Sequence, residues 1–279
     1  MIATKSMGKE ISTSHNVITW LLLAGLFFLR IVLAGIVSTF VRSASDWIAP
    51  TFEVGTYLLT VILIWWEREN LAEFFIDKLV LVILILGKPY ELLLHWLLIP
   101  SSYPPRSAFY WLYLPIAIGL LVVILFSRPK LNKLQAKNWA WLLAGIVLGI
   151  AVGILAGCLL RHQFPVGAEK PTPLLILFLP TQQLVYAGIA EEPFFRGFLW
   201  GGLRRAGWKD IWILLFQTVL FMLGHLYYLW SSPMSFWIVV PLGGLFLGIL
   251  AWRSRSIATS MAGHGFMNAV GQLVTFYRF

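Results

Sequence analysis

Charged residues are scarce in this sequence. Asp, Glu, Lys and Arg make up 12% of its 279 residues, whereas hydrophobic residues make up 59%. An ordinary soluble domain is about 45–50% apolar and about 25% charged, so one soluble core could not hide this many apolar side chains. The composition excludes an ordinary soluble protein and predicts an all-α, polytopic transmembrane helical bundle.

Cysteine and negative charge are scarce as well. The one cysteine, Cys158, excludes an intramolecular disulfide, and it lies in an apolar run that gives no sign of thiolate chemistry. The formal net charge is +9, but the basic residues stand in short clusters between apolar runs. The positive-inside rule explains this arrangement, so we expect membrane lipids and no nucleic acid as partners of the chain.

Nine apolar runs approach the length of about 20 residues that a membrane-spanning helix needs. The second run is short and the third contains Lys88, Pro89 and Glu91, so the prediction is eight or nine spans. The first run is long for a cleaved signal peptide, so we expect it to be retained. The runs are Val17–Val41, Phe52–Trp66, Leu79–Ile99, Ala108–Phe126, Trp139–Leu160, Leu174–Trp200, Ile211–Trp230, Phe236–Trp252 and Ile257–Tyr277.

Loop charge predicts the orientation of these runs. When the loops are assigned to alternating sides, thirteen basic residues fall on the side of the N-terminus: Lys5, Lys9, Arg68, Lys78, Arg128, Lys130, Lys133, Lys137, Arg204, Arg205, Lys209, Arg253 and Arg255. Five fall on the other side: Arg42, Arg106, Arg161, Lys170 and Arg278. Because basic loops stay in the cytoplasm, we expect a cytoplasmic N-terminus and a C-terminus on the opposite side.

The last four runs contain polar side chains that are costly in a bilayer. An ionised side chain at the bilayer centre costs roughly 2.5–3.5 kcal/mol or more, so each needs a partner or a water-filled cavity. A rise of about 1.5 Å per residue puts four of them, on three separate helices, at overlapping depths of about 10–21 Å: Glu191, His225, His264 and Asn268. The sequence therefore predicts a polar cavity inside the C-terminal helices, and the costly side chains in these runs are Glu191, Glu192, Arg196, His225, His264 and Asn268.

Spacing assigns these side chains to helix faces. Residues four apart share a face, which pairs Glu192 with Arg196, Phe221 with His225, and His264 with Asn268. Glu192 and Arg196 can neutralise each other, whereas Glu191 is rotated by about 100° and can point elsewhere. Phe221 can shield one side of an imidazole.

The chemistry that this set favours is hydrolysis. A buried carboxylate can act as a general base on water with the help of one imidazole, while a second imidazole and an amide donate to an oxyanion. Alternatively, Glu191, His225 and His264 could bind a divalent metal such as zinc that activates the water. The helical H-E-x-x-H metal signature is absent, so metal-dependent and metal-independent hydrolysis both stay open.

Three short motifs resemble the CPBP family of intramembrane proteases. Residues 191–197 match the pattern E-E-x-x-x-R-G, residues 221–225 match F-x-x-x-H, and residues 264–268 match H-x-x-x-N. This family includes the CAAX prenyl endopeptidases of the Rce1 type, also grouped as Abi proteins, together with bacteriocin-processing and self-immunity proteins. All three motifs occur in the expected order on separate apolar runs, which makes their combination specific.

The resemblance implies an intramembrane endopeptidase whose cavity opens toward the cytoplasm. It implies that Glu191 and His225 activate water and that His264 and Asn268 stabilise the oxyanion, with Glu192, Arg196 and Phe221 in support. The substrate would be a peptide or protein, with a prenylated CAAX peptide as one class. The motifs divide the chain into N-terminal helices of unmatched function, residues 1–138, and a CPBP-like catalytic core, residues 139–279. The alternative is a non-catalytic scaffold or bacteriocin-immunity protein of the same fold.

Overall fold

The computed structural model describes residues 13–41, 45–98, 111–131, 135–163 and 172–277, and within them the chain is all-α. The predicted run ends Ile99 and Ala108 lie outside these residues, as do the loop bases Lys5, Lys9, Arg42, Arg106, Lys133, Lys170 and Arg278. The described residues form ten α-helices, and Leu71–Phe74 forms a short 3₁₀ helix. The α-helices are α1 (Thr13–Phe40), α2 (Ser45–Trp66), α3 (Lys78–Leu98), α4 (Tyr113–Ser127), α5 (Ala136–Leu160), α6 (residues 173–205), α7 (Asp210–Leu223), α8 (Tyr228–Ser231), α9 (Ser235–Ser254) and α10 (Ile257–Tyr277).

Four of these helices, α1, α2, α5 and α9, contain segments long and apolar enough to cross a membrane, and the apolar helices α4 and α7 are shorter. Several candidate spans indicate a multi-pass membrane protein. Large apolar side chains on the outside of the bundle agree with this, since Phe126 is 83% exposed and Leu177 is 75% exposed. The total of eight or nine spans stays a prediction, because polar and charged side chains interrupt α3, α6 and α10.

The seventh predicted run is not one continuous helix. Helix α7 ends at Leu223, a turn follows at residues 224–227, and the short helix α8 begins at Tyr228. His225 therefore lies in a turn and not within a helix.

Basic loops gather at one end of the bundle. Arg205, at the end of α6, forms ion pairs with Glu67 and Glu73 in the connection between α2 and α3. In that same connection, the carbonyl of Phe75 accepts a hydrogen bond of 3.0 Å from the amide of Ile257, at the start of α10. We call this the basic end; it contains the loops that follow α2, α4, α6 and α9. Their common location agrees with the alternation used to assign the loops.

Helices α5 and α10 pack with their backbones in contact. A Cβ atom added to Gly149 would lie 2.5 Å from the carbonyl oxygen of Gly263, and one added to Gly145 would lie 2.5 Å from that of Thr259. Glycines recur every fourth residue of α5, so they form one face that admits the neighbouring helix closely: Gly145, Gly149, Gly153 and Gly157. This contact fixes the position of α10, which carries His264 and Asn268.

One hydrophobic core joins the N-terminal and C-terminal helices. It contains Leu26 of α1 and Tyr113 of α4 as well as Phe195 and Trp200 of α6 and Ile257 of α10. The predicted boundary at residue 138 thus separates two parts of the sequence, but side chains from both parts pack into the same core.

Candidate active site

Glu192 lies at the centre of a buried ionic cluster. Its Oε1 atom is 3.1 Å from Nη1 of Arg196 and 2.8 Å from Nδ1 of His264. Glu192 and Arg196 are both completely buried. The ion pair between residues four apart is confirmed, and the cluster also ties α6 to α10.

Arg196 extends this cluster to two more helices. Its Nη2 atom donates a hydrogen bond of 3.1 Å to the carbonyl of Gly244 on α9, and its guanidinium lies 4.4 Å from the ring centre of Phe221 on α7. A buried charge is tolerated only when it is paired and hydrogen-bonded, and Arg196 meets both conditions. Glu192 and Arg196 together therefore join four helices around the site.

Glu191 points away from this cluster, as the 100° rotation predicts. Its Oε1 atom is 2.7 Å from Nη2 of Arg30 on α1 and 3.9 Å from Nε2 of His225. Its Oε2 atom is buried and has no hydrogen-bond partner among the described residues. A buried carboxylate oxygen without a partner is costly, and in the cavity this one can accept a hydrogen bond from a water or a substrate group.

His225 is oriented by the turn that contains it. Its Nδ1 atom is 2.8 Å from the carbonyl oxygen of Phe221, and because a carbonyl only accepts, we assign the proton to Nδ1. Nη2 of Arg30 lies 3.2 Å from Nδ1 and 2.9 Å from Nε2, so it contacts the face of the ring, and the in-plane lone pair of Nε2 is left to accept another hydrogen bond. The ring of Phe221 lies 4.5 Å from the imidazole, centre to centre, which confirms that it covers one side.

The backbone of α6 is irregular around the two glutamates. Segments of π-helix, Leu184–Ile189 and Pro193–Leu199, flank the single α-helical turn Ala190–Glu192. Pro193 contributes to this irregularity because it has no amide hydrogen to donate to the preceding turn. Such π segments are frequent at functional sites.

The four residues predicted to be catalytic line one cavity of about 360 Å³, together with Tyr186, Tyr227 and Tyr228. Asn268 is half-buried there, and its Nδ2 atom donates to Oε1 of Gln183 at 3.3 Å. The lining residues come from the later part of α5, the middle of α6, the end of α7, the start of α9 and the later part of α10. The cavity thus occupies the half of the bundle away from the basic end.

The predicted metal ligands are not arranged as a metal site. Among the described residues, no group of three His, Cys, Asp or Glu side chains is placed to hold a metal ion, so Glu191, His225 and His264 do not form one. The physical reason lies in their partners, since His264 binds Glu192 through Nδ1 while the guanidinium of Arg30 contacts both Glu191 and His225. A cation already occupies the place between Glu191 and His225.

Arg30 is a charged residue at the site that the motifs do not reveal. It is 3% exposed and belongs to α1, more than 150 residues before Glu191 in the chain. The one sequence signal is that Arg30 is the single charged residue in the run from Val17 to Val41. A lone charge in an apolar run needs a partner, but the run does not say whether that partner is solvent or a buried acid.

Comparison with known proteins agrees with the motifs. Residues 171–270 match the family described as type II CAAX prenyl endopeptidase Rce1-like, and this segment contains Glu191, His225, His264 and Asn268. No match was found among the curated proteins or among the solved structures. Residues 171–270 of the chain are therefore a domain of the Rce1-like type II CAAX prenyl endopeptidase (CPBP) family, and membership of that family implies a membrane protease.

Proposed function

We propose that the chain is an intramembrane endopeptidase in which Glu191 and His225 activate the attacking water. The observation that carries this proposal is the partnerless Oε2 atom of Glu191, in a cavity that His225, His264 and Asn268 also line. A base, two imidazoles and an amide around one buried space can supply the proton transfer and the oxyanion stabilisation that peptide hydrolysis uses.

The first step is attack by water on the peptide carbonyl. Oε2 of Glu191 accepts a proton from a water in the cavity, and the resulting hydroxide bonds to the carbonyl carbon. His225 Nε2, 3.9 Å from Glu191 Oε1, can accept a second hydrogen bond from the same water. The proton on Glu191 then passes to the amide nitrogen as the C–N bond breaks, which restores the carboxylate and releases an amine and an acid.

The second requirement is stabilisation of the negative oxygen that forms during attack. His264 Nδ1 is bound to Glu192, so Nε2 is the ring nitrogen that remains for the substrate, and it donates when the ring is protonated. The hydrogen bond from Nδ1 to Glu192 would favour the protonated ring, and the negative oxyanion would balance its charge. Asn268 donates one hydrogen of Nδ2 to Gln183 and keeps a second one for the oxyanion.

The peptide specificity is proposed from the family alone. A family of CAAX endopeptidases implies a peptide substrate, and a C-terminal prenylated CAAX sequence is the first class to test. The test is cleavage of a fluorogenic peptide library, with farnesylated and unmodified CAAX members, by purified protein in detergent.

Three proteins are compared in this assay, each with and without a chelator. We expect wild type to cleave and Glu191→Gln to lose cleavage while it stays folded. Glu69→Gln, an exposed acid at the basic end that pairs with Lys130, is the matched control and should cleave like wild type. Equal cleavage by wild type and Glu191→Gln would refute the proposal, and binding of peptide without cleavage by either protein would favour the non-catalytic scaffold.

Loop charge and family resemblance disagree about the side from which the substrate enters. Loop charge predicts that the basic end faces the cytoplasm, but the cavity occupies the other half of the bundle, whereas the resemblance implies a cytoplasmic cavity. Two single-cysteine variants in a Cys158→Ser background decide on which side of the membrane the cavity lies. One replaces Ser231, near the cavity, and the other replaces Lys209, at the basic end. Both positions are exposed. In sealed right-side-out vesicles, a membrane-impermeant maleimide that labels only residue 231 places the cavity outside, and labelling of only residue 209 places it in the cytoplasm.

A further inference from the structure

We propose that Arg30 is a positioning residue of this active site, although it lies outside the matched residues 171–270. In this inference, which rests on the proposed function, Arg30 holds one oxygen of Glu191 and thereby leaves the other oxygen directed at the water. The catalytic unit then includes α1, the first helix of the segment to which no motif is assigned.

Arg30 directly contacts both of the groups proposed to activate the water, Glu191 and His225. Nη2 of Arg30 lies 2.7 Å from Oε1 of Glu191 and 2.9 Å from Nε2 of His225. One nitrogen thus bridges the carboxylate and the imidazole. Because both contacts use the same atom, a shift of the guanidinium would displace Glu191 and His225 together.

Charge balance gives Arg30 a second role. Glu192 is neutralised by Arg196 within the family segment, whereas the other close partner of Glu191 besides Arg30 is the imidazole of His225. A buried carboxylate that loses its cation is strongly destabilised. With Arg30 in place, the site holds two carboxylates and two guanidinium groups, so neither glutamate is left as an uncompensated buried charge.

The packing of α1 against α7 determines where Arg30 lies. A Cβ atom added to Gly35 would lie 2.6 Å from the carbonyl oxygen of Leu223, so the two backbones approach closely where α7 ends. A Cβ atom added to Gly224 would lie 3.0 Å from Nε of Arg30. The glycine that immediately precedes His225 therefore leaves room for the guanidinium. Phe52 of α2 covers that guanidinium, with its ring centre 5.2 Å away.

The test compares Arg30→Met and Arg30→Ala with a matched control in the cleavage assay. Lys88→Met removes another cation of 3% exposure, one that pairs with Glu53 at 3.0 Å outside the cavity lining. A misplacement of about 1 Å in a catalytic group can lower a rate by about 100-fold. We expect Arg30→Met to lower kcat by about that factor with little change in KM, and Lys88→Met to leave kcat of its folded fraction unchanged.

Chemical rescue separates positioning from a purely structural role. Guanidinium added to Arg30→Ala should fill the vacated space and recover part of the lost rate, and it should do nothing for Glu191→Gln. Cleavage by Arg30→Met at the wild-type rate, with Glu191→Gln inactive, would overturn the inference and leave the proposed function standing. The inference would also be overturned if guanidinium did not restore the activity of Arg30→Ala and Lys88→Met lost a similar amount of activity. Arg30 would then have a structural role alone.

Thermal unfolding provides a readout that needs no substrate. The double variant of Arg30→Met and Glu191→Gln should unfold at a higher temperature than Arg30→Met alone, because the uncompensated carboxylate is gone. If wild type cleaves no peptide, the proposed function fails, and this comparison decides whether the pair exists. If Arg30→Met and Glu191→Gln changed the unfolding temperature by independent, additive amounts, the pairing of Arg30 with Glu191 would be refuted, and with it the inference.

Discussion

Replacement of Gly149 by alanine should separate α5 from α10 and disable the site. The added Cβ atom would lie 2.5 Å from the carbonyl oxygen of Gly263 and 3.0 Å from its Cα atom. Ordinary van der Waals contact begins at 3.4 Å, so the two backbones would have to separate by about 0.9 Å at this point. Both opposing atoms belong to the backbone, so no rotation of a side chain can relieve the clash.

The displacement reaches the site directly because Gly263 precedes His264. The bond between His264 Nδ1 and Glu192 Oε1 is now 2.8 Å. If the whole shift fell along it, the bond would lengthen to about 3.7 Å and cease to be a hydrogen bond. Overpacking of this kind destabilises a protein by about 1–3 kcal/mol, and a catalytic group misplaced by about 1 Å can cost about 100-fold in rate.

The assay measures the free energy of unfolding in mixed micelles by titration with a denaturing detergent, followed by tryptophan fluorescence, and cleavage in parallel. Gly119→Ala on α4 is the matched control, since a Cβ atom there meets nothing within 4 Å. Alanine is the better helix former by about 0.5–1 kcal/mol, so the control should be neutral or slightly stabilising. Equal stability and activity of the two variants would refute the close contact between α5 and α10.

Two further predictions concern buried ion pairs. Arg196→Met leaves the buried carboxylate of Glu192 without its cation, and we expect the free energy of unfolding to fall by about 3–5 kcal/mol in the same titration; an unchanged value would contradict the cluster. At the basic end, burial raises the pKa of Glu67, but hydrogen bonds from Arg205 and Thr19 outweigh it and hold that pKa below the ordinary value of 4.5. The pair therefore stabilises the protein above pH 4.5 and loses this contribution as the pH falls through the lowered pKa. Thermal unfolding from pH 7 to pH 3 should show a smaller acid-induced decrease for Arg205→Met than for wild type, and identical curves would count against this pair.

Sequence reasoning is most successful where burial is expensive. A charged or polar side chain in an apolar run must find a partner, and this requirement alone brings Glu191, His225, His264 and Asn268 to one cavity. Helical spacing adds the ion pair of Glu192 with its partner four residues later. The catalytic roles of the four cavity residues stay a prediction that mutagenesis must test.

Long-range packing explains what the sequence does not reveal. From the sequence, the side chain of Arg30 could face either lipid headgroups or the bundle interior. Its direction depends on the contact of Gly35 with the end of α7, and no local sequence pattern predicts that contact. The regular glycines of α5 are visible in the sequence, but their partner helix is not. The metal alternative was open because His264 could have turned toward Glu191, whereas in the structure its Nδ1 atom binds Glu192.

The most direct test of the central claim is the origin of the oxygen in the cleaved product. A peptide found in the library is incubated in ¹⁸O-labelled water with wild type or Glu191→Gln in a single turnover, and the new C-terminus is weighed by mass spectrometry. If Glu191 activates water, wild type adds one ¹⁸O atom to the new carboxylate and Glu191→Gln forms no product. Product from Glu191→Gln at the wild-type rate, with the same label, would contradict the account.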